Sequence, residues 1–357
     1  MRIALDATPL TLASGGLRRY VVELTTALGQ NFPNDEFWLL SDQKFEAPCP
    51  SPANLRTGHG PRNFLDRHWW LWGLRGEMAR LGIDVFHGTD FAVPYLPTRP
   101  SVMTLHDLSP WMDPAWHIQA ARVRRRTPVL LRLGWASMVV TPSEAIRKQA
   151  IEHFRLSPDR VVAVPHAAAP FLRPAPDSQN GTPYFLYVGT LEPRKNLDLL
   201  LDVWREVRRS QEIDLVLAGR RRADFPELDP EPGLRLVGLT RDQDLPRLFS
   251  GALAFVYPSL YEGFGLPVLE AMQCGAAVIA SRDAAISEVA GEAAILLDVA
   301  DRRGWVEALL GVASNSEQLA SLRRKALARS AQFSWDKTAK LTREVYAQAA
   351  ERFREKA

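Results

Sequence analysis

The chain has 357 residues, which is long for one hydrophobic core and suits two domains of ordinary size. Hydrophobic residues make up 46% and charged residues 24%, as in ordinary globular proteins, and the net charge of +3 is too balanced to indicate a nucleic-acid-binding protein. The two cysteines, Cys49 and Cys274, exclude a disulfide framework and a paired metal motif, so we expect a reducing, cytoplasmic compartment.

The first half of the chain alternates short apolar runs with helix-like segments. Residues 1–6 predict a strand that leads into a polar loop, which argues against a secretory signal peptide. Residues 17–28 carry apolar side chains at helical spacing, and further strands are predicted at 36–40, 83–87, 101–105, 138–141 and 160–164. No run of about 18 apolar residues predicts a transmembrane helix. The alternation indicates a parallel sheet with right-handed crossovers.

The composition changes to Pro, Ala, Asp, Ser, Asn and Gly at residues 170–183, which predicts an interdomain linker. A long amphipathic helix is predicted at 335–356, and the strands between are predicted at 184–188, 214–218, 234–237, 254–257, 277–280 and 294–297. We therefore predict an α/β fold with two doubly wound domains, 1–175 and 176–336, and a helix at about 337–357 that packs back on the first domain. Such sheets bind ligands at the carboxyl ends of their strands.

The segment from Glu262 to Glu270 follows a predicted strand and opens a helix, with Pro267 suited to the first helical position. Its glycines would let a ligand approach the backbone closely, and the N–H groups near Gly265 would bind a phosphate or another anion. We place Glu262 in the loop and Glu270 about one turn into the helix, where both would grip hydroxyl groups of one extended ligand. The alternative is a glycine-rich turn with both carboxylates in water.

A basic pair, Arg194 and Lys195, stands where a loop passes from a predicted strand into a helix. A guanidinium fork beside a point charge suits a diphosphate leaving group. The alternative is an exposed pair at a helix start, although positive charge is unfavourable there because of the helix dipole.

Weaker signals lie in the first half. Gly15 and Gly16 occupy the first strand–helix crossover, although they lack the dinucleotide-binding spacing. His106, followed by Asp107, ends a predicted strand, and His87 ends another and competes with it. A structural role is the alternative for either histidine.

Two further segments have no assigned role. Residues 122–132 are basic and helical, and a solvated face is their default interpretation. Residues 64–72 hold three tryptophans, which would form part of a core, an acceptor site or a membrane-facing patch.

Together these motifs resemble family 4 of the glycosyltransferases, a retaining group with the GT-B fold, over nearly the whole chain. Glu262 to Glu270 carries the resemblance most specifically, and residues 188–197, 6–28 and 104–108 add to it. The resemblance implies two Rossmann-like domains that face a central cleft. The N-terminal domain would bind the acceptor, and the C-terminal domain would bind the nucleotide-sugar donor.

The resemblance also implies roles for individual residues. Glu262 would contact the donor sugar and Glu270 the ribose, while Arg194 and Lys195 would neutralise the diphosphate. His106 would lie near the reacting carbon, so His106 and Glu262 are the expected catalytic residues. The other expected donor-binding residues are Gly15, Gly16, Leu239 beside the base, Gly263, Phe264, Gly265 and Leu266.

The look of residues 6–28 and 104–108 is most similar to bacterial mannosyltransferases that act on polysaccharide or lipid-linked intermediates. This favours GDP-mannose over UDP-glucose-type donors and a glycan or lipid-linked acceptor. The family resemblance implies retention, and no metal or other cofactor is expected if the two cations and a helix dipole balance the charge of the diphosphate. Peripheral association with the inner face of the plasma membrane stays open, and no nucleic acid is expected as a partner.

One departure from the family is Pro165-His166-Ala167-Ala168, where relatives have an Asn-Gly or Gly-Val-Asp turn; we interpret it as a variation of the hinge, and it leaves the role of His166 open. The rival functions are a non-catalytic nucleotide-sugar binding protein and a GT-B epimerase or phosphorylase.

Overall fold

The computed structural model describes residues 1–117, 120–175 and 181–356. The chain divides into two compact units, of which the first combines Met1–His166 with the segment from Ser334 onward and the second is Ala167–Phe333. Each unit contains its own parallel sheet with helices between most of the successive strands. The predicted α/β class with two doubly wound domains is therefore confirmed.

The first unit contains seven strands: β1 (Arg2–Asp6), β2 (Glu36–Leu40), β3 (Leu55–Thr57), β4 (Val85–Gly88), β5 (Ser101–Thr104), β6 (Met138–Thr141) and β7 (Val161–Ala163). They form one sheet in the order β3-β2-β1-β4-β5-β6-β7, and every neighbouring pair is parallel. Its helices are α1 (Gly16–Asn31), α2 (Leu74–Leu81), α3 (Ser109–Met112), α4 (Ala121–Arg132), α5 (Glu144–Phe154) and, from the end of the chain, α12 (Trp335–Lys356).

The second unit repeats this plan with six strands: β8 (Tyr184–Val188), β9 (Asp214–Ala218), β10 (Leu234–Gly238), β11 (Ala254–Tyr257), β12 (Val278–Ser281) and β13 (Ile295–Leu297). Their order is β10-β9-β8-β11-β12-β13, again all parallel. Its helices are α6 (Leu197–Arg208), α7 (Leu245–Gly251), α8 (Leu266–Gln273), α9 (Ala284–Ala290), α10 (Arg302–Ser314) and α11 (Ser316–Ser330). The central strands β11 and β12 are buried along their whole length, as expected of strands covered on both faces.

The first unit ends at His166, whereas the predicted boundary stands at residue 175. The residues between belong to the second unit because Ala169 and Leu172 pack into its hydrophobic core. The side-chain amide of Gln273 also donates to their carbonyl oxygens, at 2.8 and 2.6 Å. Of the predicted linker, residues 176–180 lie outside the described part of the chain.

The C-terminal helix α12 packs against α1 and the neighbouring strands of the first unit. Arg343 forms an ion pair with Asp35 at 2.5 Å, and the hydroxyl of Thr338 donates to the carbonyl oxygen of Pro165 at 2.7 Å. Aromatic and aliphatic side chains of α12 are fully buried, Tyr346 among them. The helix is thus an integral layer of the first unit, although it follows the second unit in sequence.

The short edge strand β3 is absent from the predicted strands because its Leu-Arg-Thr sequence is polar and largely exposed. None of the helices within the described ranges is long and apolar enough to span a bilayer. Cys49 and Cys274 are both free thiols.

Candidate functional site

The second sheet has a topological switch point between β8 and β11. The chain continues from β8 toward β9 on one side and from β11 toward β12 on the other, so the loops after these two strands diverge. Open α/β sheets bind ligands outside the carboxyl ends of the strands at such a point. Arg194 and Lys195 lie in the loop after β8, and Glu262 lies in the loop after β11.

The structure brings these three predicted residues into one buried ion cluster. The Nζ of Lys195 lies 2.5 Å from Oε1 of Glu262, and a guanidinium nitrogen of Arg194 lies 3.5 Å from Oε2. The Lys195 ammonium also donates to the hydroxyl of Tyr257 at 2.9 Å, and Ser259 donates to Glu262 at 2.5 Å. The alternative of an exposed basic pair is therefore wrong, since both cations are buried.

The pKa values of Glu262 and Lys195 reflect both their burial and the charges beside them. Burial opposes ionisation of Glu262, but the charges of Lys195 and Arg194, with hydrogen bonds from Lys195 and Ser259, outweigh it and lower the pKa of Glu262 to about 2. Burial and the nearby Arg194 charge lower the pKa of Lys195, which the attraction of Glu262 opposes. Lys195 and Arg194 thus share the carboxylate of Glu262, while Arg194 also pairs with the carboxylate of Glu192.

Sequence reasoning missed the residues that hold Arg194. Glu192 accepts from Arg194 at 3.0 Å and from Arg222 at 3.2 Å, and the carbonyl oxygen of Tyr261 accepts from the other guanidinium nitrogen of Arg194 at 2.7 Å. Glu192 precedes the basic pair in the same loop, which is a signal that could have identified it. Arg222 has no such signal because it lies after β9, distant in sequence.

Helix α8 begins at Leu266, one residue before the predicted first helical position at Pro267. Gly265 caps its N-terminus in the left-handed region, with φ of +85°, and a Cβ there would lie 3.3 Å from Cγ1 of Ile286. Gly263 and Phe264 are buried in the preceding turn, and Leu266 is the first helical residue. Glu270 is buried in the helix, so the alternative with both carboxylates in water is wrong.

Leu239 lies just after the edge strand β10 and is exposed. It borders an open groove of about 610 Å³, which is also lined by Tyr184, Arg235, Arg241 and Arg247. The predicted contact of Leu239 with a nucleotide base stays a prediction.

In the first unit, the two competing histidines differ in their surroundings. His87 is fully buried, and its ring nitrogens lie 2.7 Å from the hydroxyl of Tyr346 and 2.8 Å from that of Thr104. Burial, with the charge of His106, lowers the pKa of His87 to about 3. His87 therefore connects β4, β5 and α12 as a neutral structural residue.

His106 is only partly buried, just past the end of β5. Its Nε2 donates to the carbonyl oxygen of Thr89 at 2.7 Å, which fixes the tautomer and leaves Nδ1 as the acceptor of a neutral ring. The ring of Tyr20 meets it edge-on, with centroids 5.0 Å apart. Burial lowers the pKa of His106, although the Thr89 carbonyl and Asp107 oppose this.

His166 lies beside this histidine, in the first unit. Its ring is stacked on Trp335, with centroids 6.0 Å apart, and lies 4.6 Å from Tyr20 and 5.9 Å from His106. Burial lowers the pKa of His166 well below its ordinary range. The departure from the family turn thus adds a neutral aromatic neighbour to His106.

Gly15 and Gly16 occupy the exposed start of α1. Gly15 caps the helix at φ of +117°, a conformation that favours glycine, and a Cβ there would meet nothing within 4 Å. The contact of these amides with the donor stays a prediction, as does that of His106.

An Asp-x-Asp sequence lies in the second unit at Asp242 and Asp244. Asp244 accepts from Arg241 at 2.8 Å in the turn before α7. Within the described ranges, no group of three or more His, Cys, Asp or Glu side chains is arranged to hold a metal ion.

Comparison with known proteins places the chain in a family. Residues 14–170 match the family described as Glycosyltransferase Family 4, and residues 182–315 match Glycosyl transferases group 1. The chain is 30% identical to O-antigen chain mannosyltransferase B of Escherichia coli, over 97% of this chain and 99% of that protein. The chain belongs to glycosyltransferase family 4.

Solved structures show that this family 4 chain has the GT-B fold. Sucrose-phosphate synthase from Thermosynechococcus elongatus is similar with a TM-score of 0.75 at 19% identity, over 97% of this chain and 98% of that one. HepE from Anabaena, in complex with UDP-glucose, is similar with a TM-score of 0.74 at 17% identity, over 97% and 99%. The roles that the family resemblance implies for single residues stay predictions.

Proposed function

We propose that this glycosyltransferase moves a hexose from a nucleoside-diphosphate sugar to a glycan or lipid-linked acceptor, with retention of configuration. The observation that carries the proposal is the buried cluster of Arg194, Lys195 and Glu262 at the switch point of the second sheet. Negative charge grows on the departing diphosphate as the glycosidic bond breaks, and preorganised cations stabilise it there. The start of α8 adds N–H groups that favour an anion.

We propose mannose as the transferred sugar and GDP-mannose as the donor. The support is the relative named O-antigen chain mannosyltransferase B, which matches over nearly its whole length. UDP-glucose is the next candidate, because the structurally similar HepE contains it. A panel of nucleoside-diphosphate sugars, followed by release of nucleoside diphosphate, tests the assignment. GDP-mannose should give the highest kcat/KM, and a higher value with any UDP-sugar would replace it.

Retention fits departure of the nucleoside diphosphate and attack by the acceptor on the same face of the sugar. No residue is assigned as a covalent nucleophile. The anomeric configuration of the product, followed by proton NMR from the start of the reaction, tests this point. An inverted first-formed product would contradict it.

We propose that the reaction needs no metal, since Arg194, Lys195 and the start of α8 would balance the charge of the diphosphate. Activity should therefore survive excess EDTA. Loss of activity in EDTA, with recovery on addition of magnesium or manganese, would show that the protein groups are insufficient.

The rival function is nucleotide-sugar binding without transfer. His106, Arg194, Lys195, Glu262 and Glu270 are all present, which favours catalysis. If the protein binds the donor but does not transfer, hydrolyse or epimerise it with any acceptor, it is a binding protein. If it epimerises the donor, it is a GT-B epimerase.

A further inference from the structure

The first unit carries most of its exposed apolar side chains in one region. Its large exposed hydrophobic residues are Leu12, Phe64, Leu65, Trp72, Leu96, Met112, Val129 and Leu133. All but Leu12 lie on residues 64–72, on the loop after β4, on α3 and α4, or directly after α4. Phe64 and Leu65 are 74% and 64% exposed and adjacent in the chain, and contiguous exposed apolar surface of this kind marks interaction sites.

Direct contacts join these elements. The guanidinium of Arg126 on α4 lies 5.5 Å from the ring centroid of Trp70, and the backbone N–H of Tyr95 donates to the carbonyl oxygen of Trp70 at 2.8 Å. The indole of Trp111 on α3 donates to the carbonyl oxygen of Arg124 at 3.3 Å. Residues 64–72 and helix α4 therefore form one surface, although they lie about 50 residues apart in sequence.

Helix α4 turns a basic and apolar face to solvent. Its buried residues are Thr127, Leu130 and Leu131, and its exposed positions after Ala121 are Arg122, Arg125, Val129 and Arg132, followed directly by Leu133. The helix contains no acidic residue. We call this face, together with the exposed residues of 64–72, the basic-aromatic surface.

Residues 64–72 also combine positive charge with exposed apolar side chains. The guanidinium of Arg67 lies 5.9 Å from the ring centroid of Phe64, and that of Arg75 lies 5.6 Å from that of Trp72. Asp66 is the acidic residue of this segment, and it accepts from the backbone N–H of Arg62. Arginine beside exposed aromatic rings combines apolar surface for insertion with positive charge for lipid headgroups.

We propose that the basic-aromatic surface docks the first unit onto an anionic lipid membrane. Positive charge without acidic neighbours on α4 complements a negatively charged bilayer surface, and Phe64, Leu65 and Trp72 suit the interface between headgroups and acyl chains. A second copy of the chain fits poorly, because a two-fold contact would place the α4 arginines against one another.

The test uses the full chain and co-sedimentation with vesicles of phosphatidylcholine alone or mixed with an equal amount of phosphatidylglycerol. The protein should bind the anionic vesicles at low salt and be released by high salt. The triple variant Arg122→Gln/Arg125→Gln/Arg132→Gln should lose roughly a hundredfold in partitioning. The variant Phe64→Ser/Leu65→Ser should also bind less, and salt should release the remaining bound protein more completely, because that binding is mainly electrostatic.

The matched control removes the same charge elsewhere. Arg209→Gln/Arg303→Gln/Arg324→Gln changes three exposed arginines of the second unit and should leave vesicle binding within about twofold of wild type. Circular dichroism checks that every variant is folded, and donor hydrolysis in the absence of lipid measures the catalytic site separately. Because vesicle binding and donor hydrolysis are measured separately, the membrane proposal can fail while the proposed function holds, and the proposed function can fail while the membrane proposal holds.

Three outcomes would overturn the proposal. Equal binding to neutral and anionic vesicles, or none to either, removes the role of charge. Equal loss in the surface triple and the control triple shows a non-local effect. A dimer in sedimentation equilibrium that dissociates in the surface triple assigns the surface to a second copy of the chain.

Discussion

The two units present opposite kinds of polar groups at the carboxyl ends of their sheets. In the second unit the groups are ions held together, with Glu262 between Lys195 and Arg194. In the first unit burial favours the uncharged forms. Burial raises the pKa of Asp6 to about 6, although hydrogen bonds from Thr8 oppose this, and it lowers the pKa of His106.

The difference shows how one architecture serves two kinds of ligand. A fixed pair of cations stabilises an anion without reorganisation at the moment of reaction. A site where burial disfavours the charged forms of its acids and histidines suits hydroxyl groups. This division corresponds to the proposed anionic donor and sugar acceptor. It also means that charge-removing substitutions should act differently in the two units.

The largest effect should follow from Arg194→Ala/Lys195→Ala. Loss of both cations should cost about 2–4 kcal/mol of transition-state stabilisation in kcat/KM, with weaker nucleoside-diphosphate binding. Steady-state kinetics and calorimetric titration with GDP measure the two quantities. The exposed pair Arg209→Ala/Arg324→Ala serves as the control and should leave both unchanged.

The double variant also leaves Glu262 buried without its cations, which would destabilise the fold. Adding Glu262→Gln to it should restore part of the unfolding free energy but none of the activity. Recovery of activity in this triple variant would contradict the diphosphate assignment.

As the pH changes, Glu262 in the second unit and Asp6 in the first should change the free energy of unfolding in opposite directions. Glu262 has a lowered pKa, so its contribution to stability is present above its ordinary value of 4.5 and is lost as the pH falls toward 2. Asp6 has a raised pKa, so its contribution is present below 3.8 and is lost as the pH rises through about 6. Each of these two pKa shifts corresponds to about 3 kcal/mol of unfolding free energy.

Chemical denaturation of wild type, Glu262→Gln and Asp6→Asn measures this. The unfolding free energy of wild type minus variant should rise with pH for Glu262→Gln below about pH 5, and should fall with pH for Asp6→Asn between about pH 4 and 7. Asn can still accept both Thr8 hydrogen bonds, so it isolates the charge. If the wild-type-minus-variant free energies of unfolding change with pH in the same direction for both variants, the proposed contrast between the units is wrong.

Within the second unit, the two glutamates should fail differently. Glu262→Gln should lower kcat by the equivalent of about 2 kcal/mol and change affinity for free nucleoside diphosphate little, because contacts with the sugar strengthen in the transition state. Glu270→Gln should raise KM and weaken nucleotide binding, by roughly 1.5–3 kcal/mol at most. Thermal melts control for folding. Two glutamates that act only through stability would remove the main support for their predicted roles.

The smallest effects compare the two helix-capping glycines. Gly15→Ala places a side chain in open space, so its cost of about 1–3 kcal/mol comes from backbone conformation alone. Gly265→Ala costs about 1–2 kcal/mol for its left-handed conformation and adds a tight contact with Ile286. Unfolding free energies and kcat/KM measure both, and a neutral Gly15→Ala would show that α1 begins differently from α8.

The sequence predicts the strands well where burial dictates composition. The apolar runs that become β2, β6, β8, β9 and β11 are predicted with their observed bounds, because strands covered on both faces must be apolar throughout. The polar edge strand β3 carries no such signal. In the site, the motif predicts Arg194, Lys195 and Glu262, but not their direct pairing or the support from Arg222, since those contacts join loops distant in sequence.

The position of α12 also sets an order of assembly during translation. The second unit is continuous from Ala167 to Phe333, so it can complete its sheet as it leaves the ribosome. The first unit must wait for the last helix, which supplies Tyr346 to the buried His87 and Arg343 to Asp35. Nascent domains usually fold in the order in which they are synthesised. Here the segment made first is finished last, and the face of α1 that α12 covers lacks its partner throughout synthesis of the second unit.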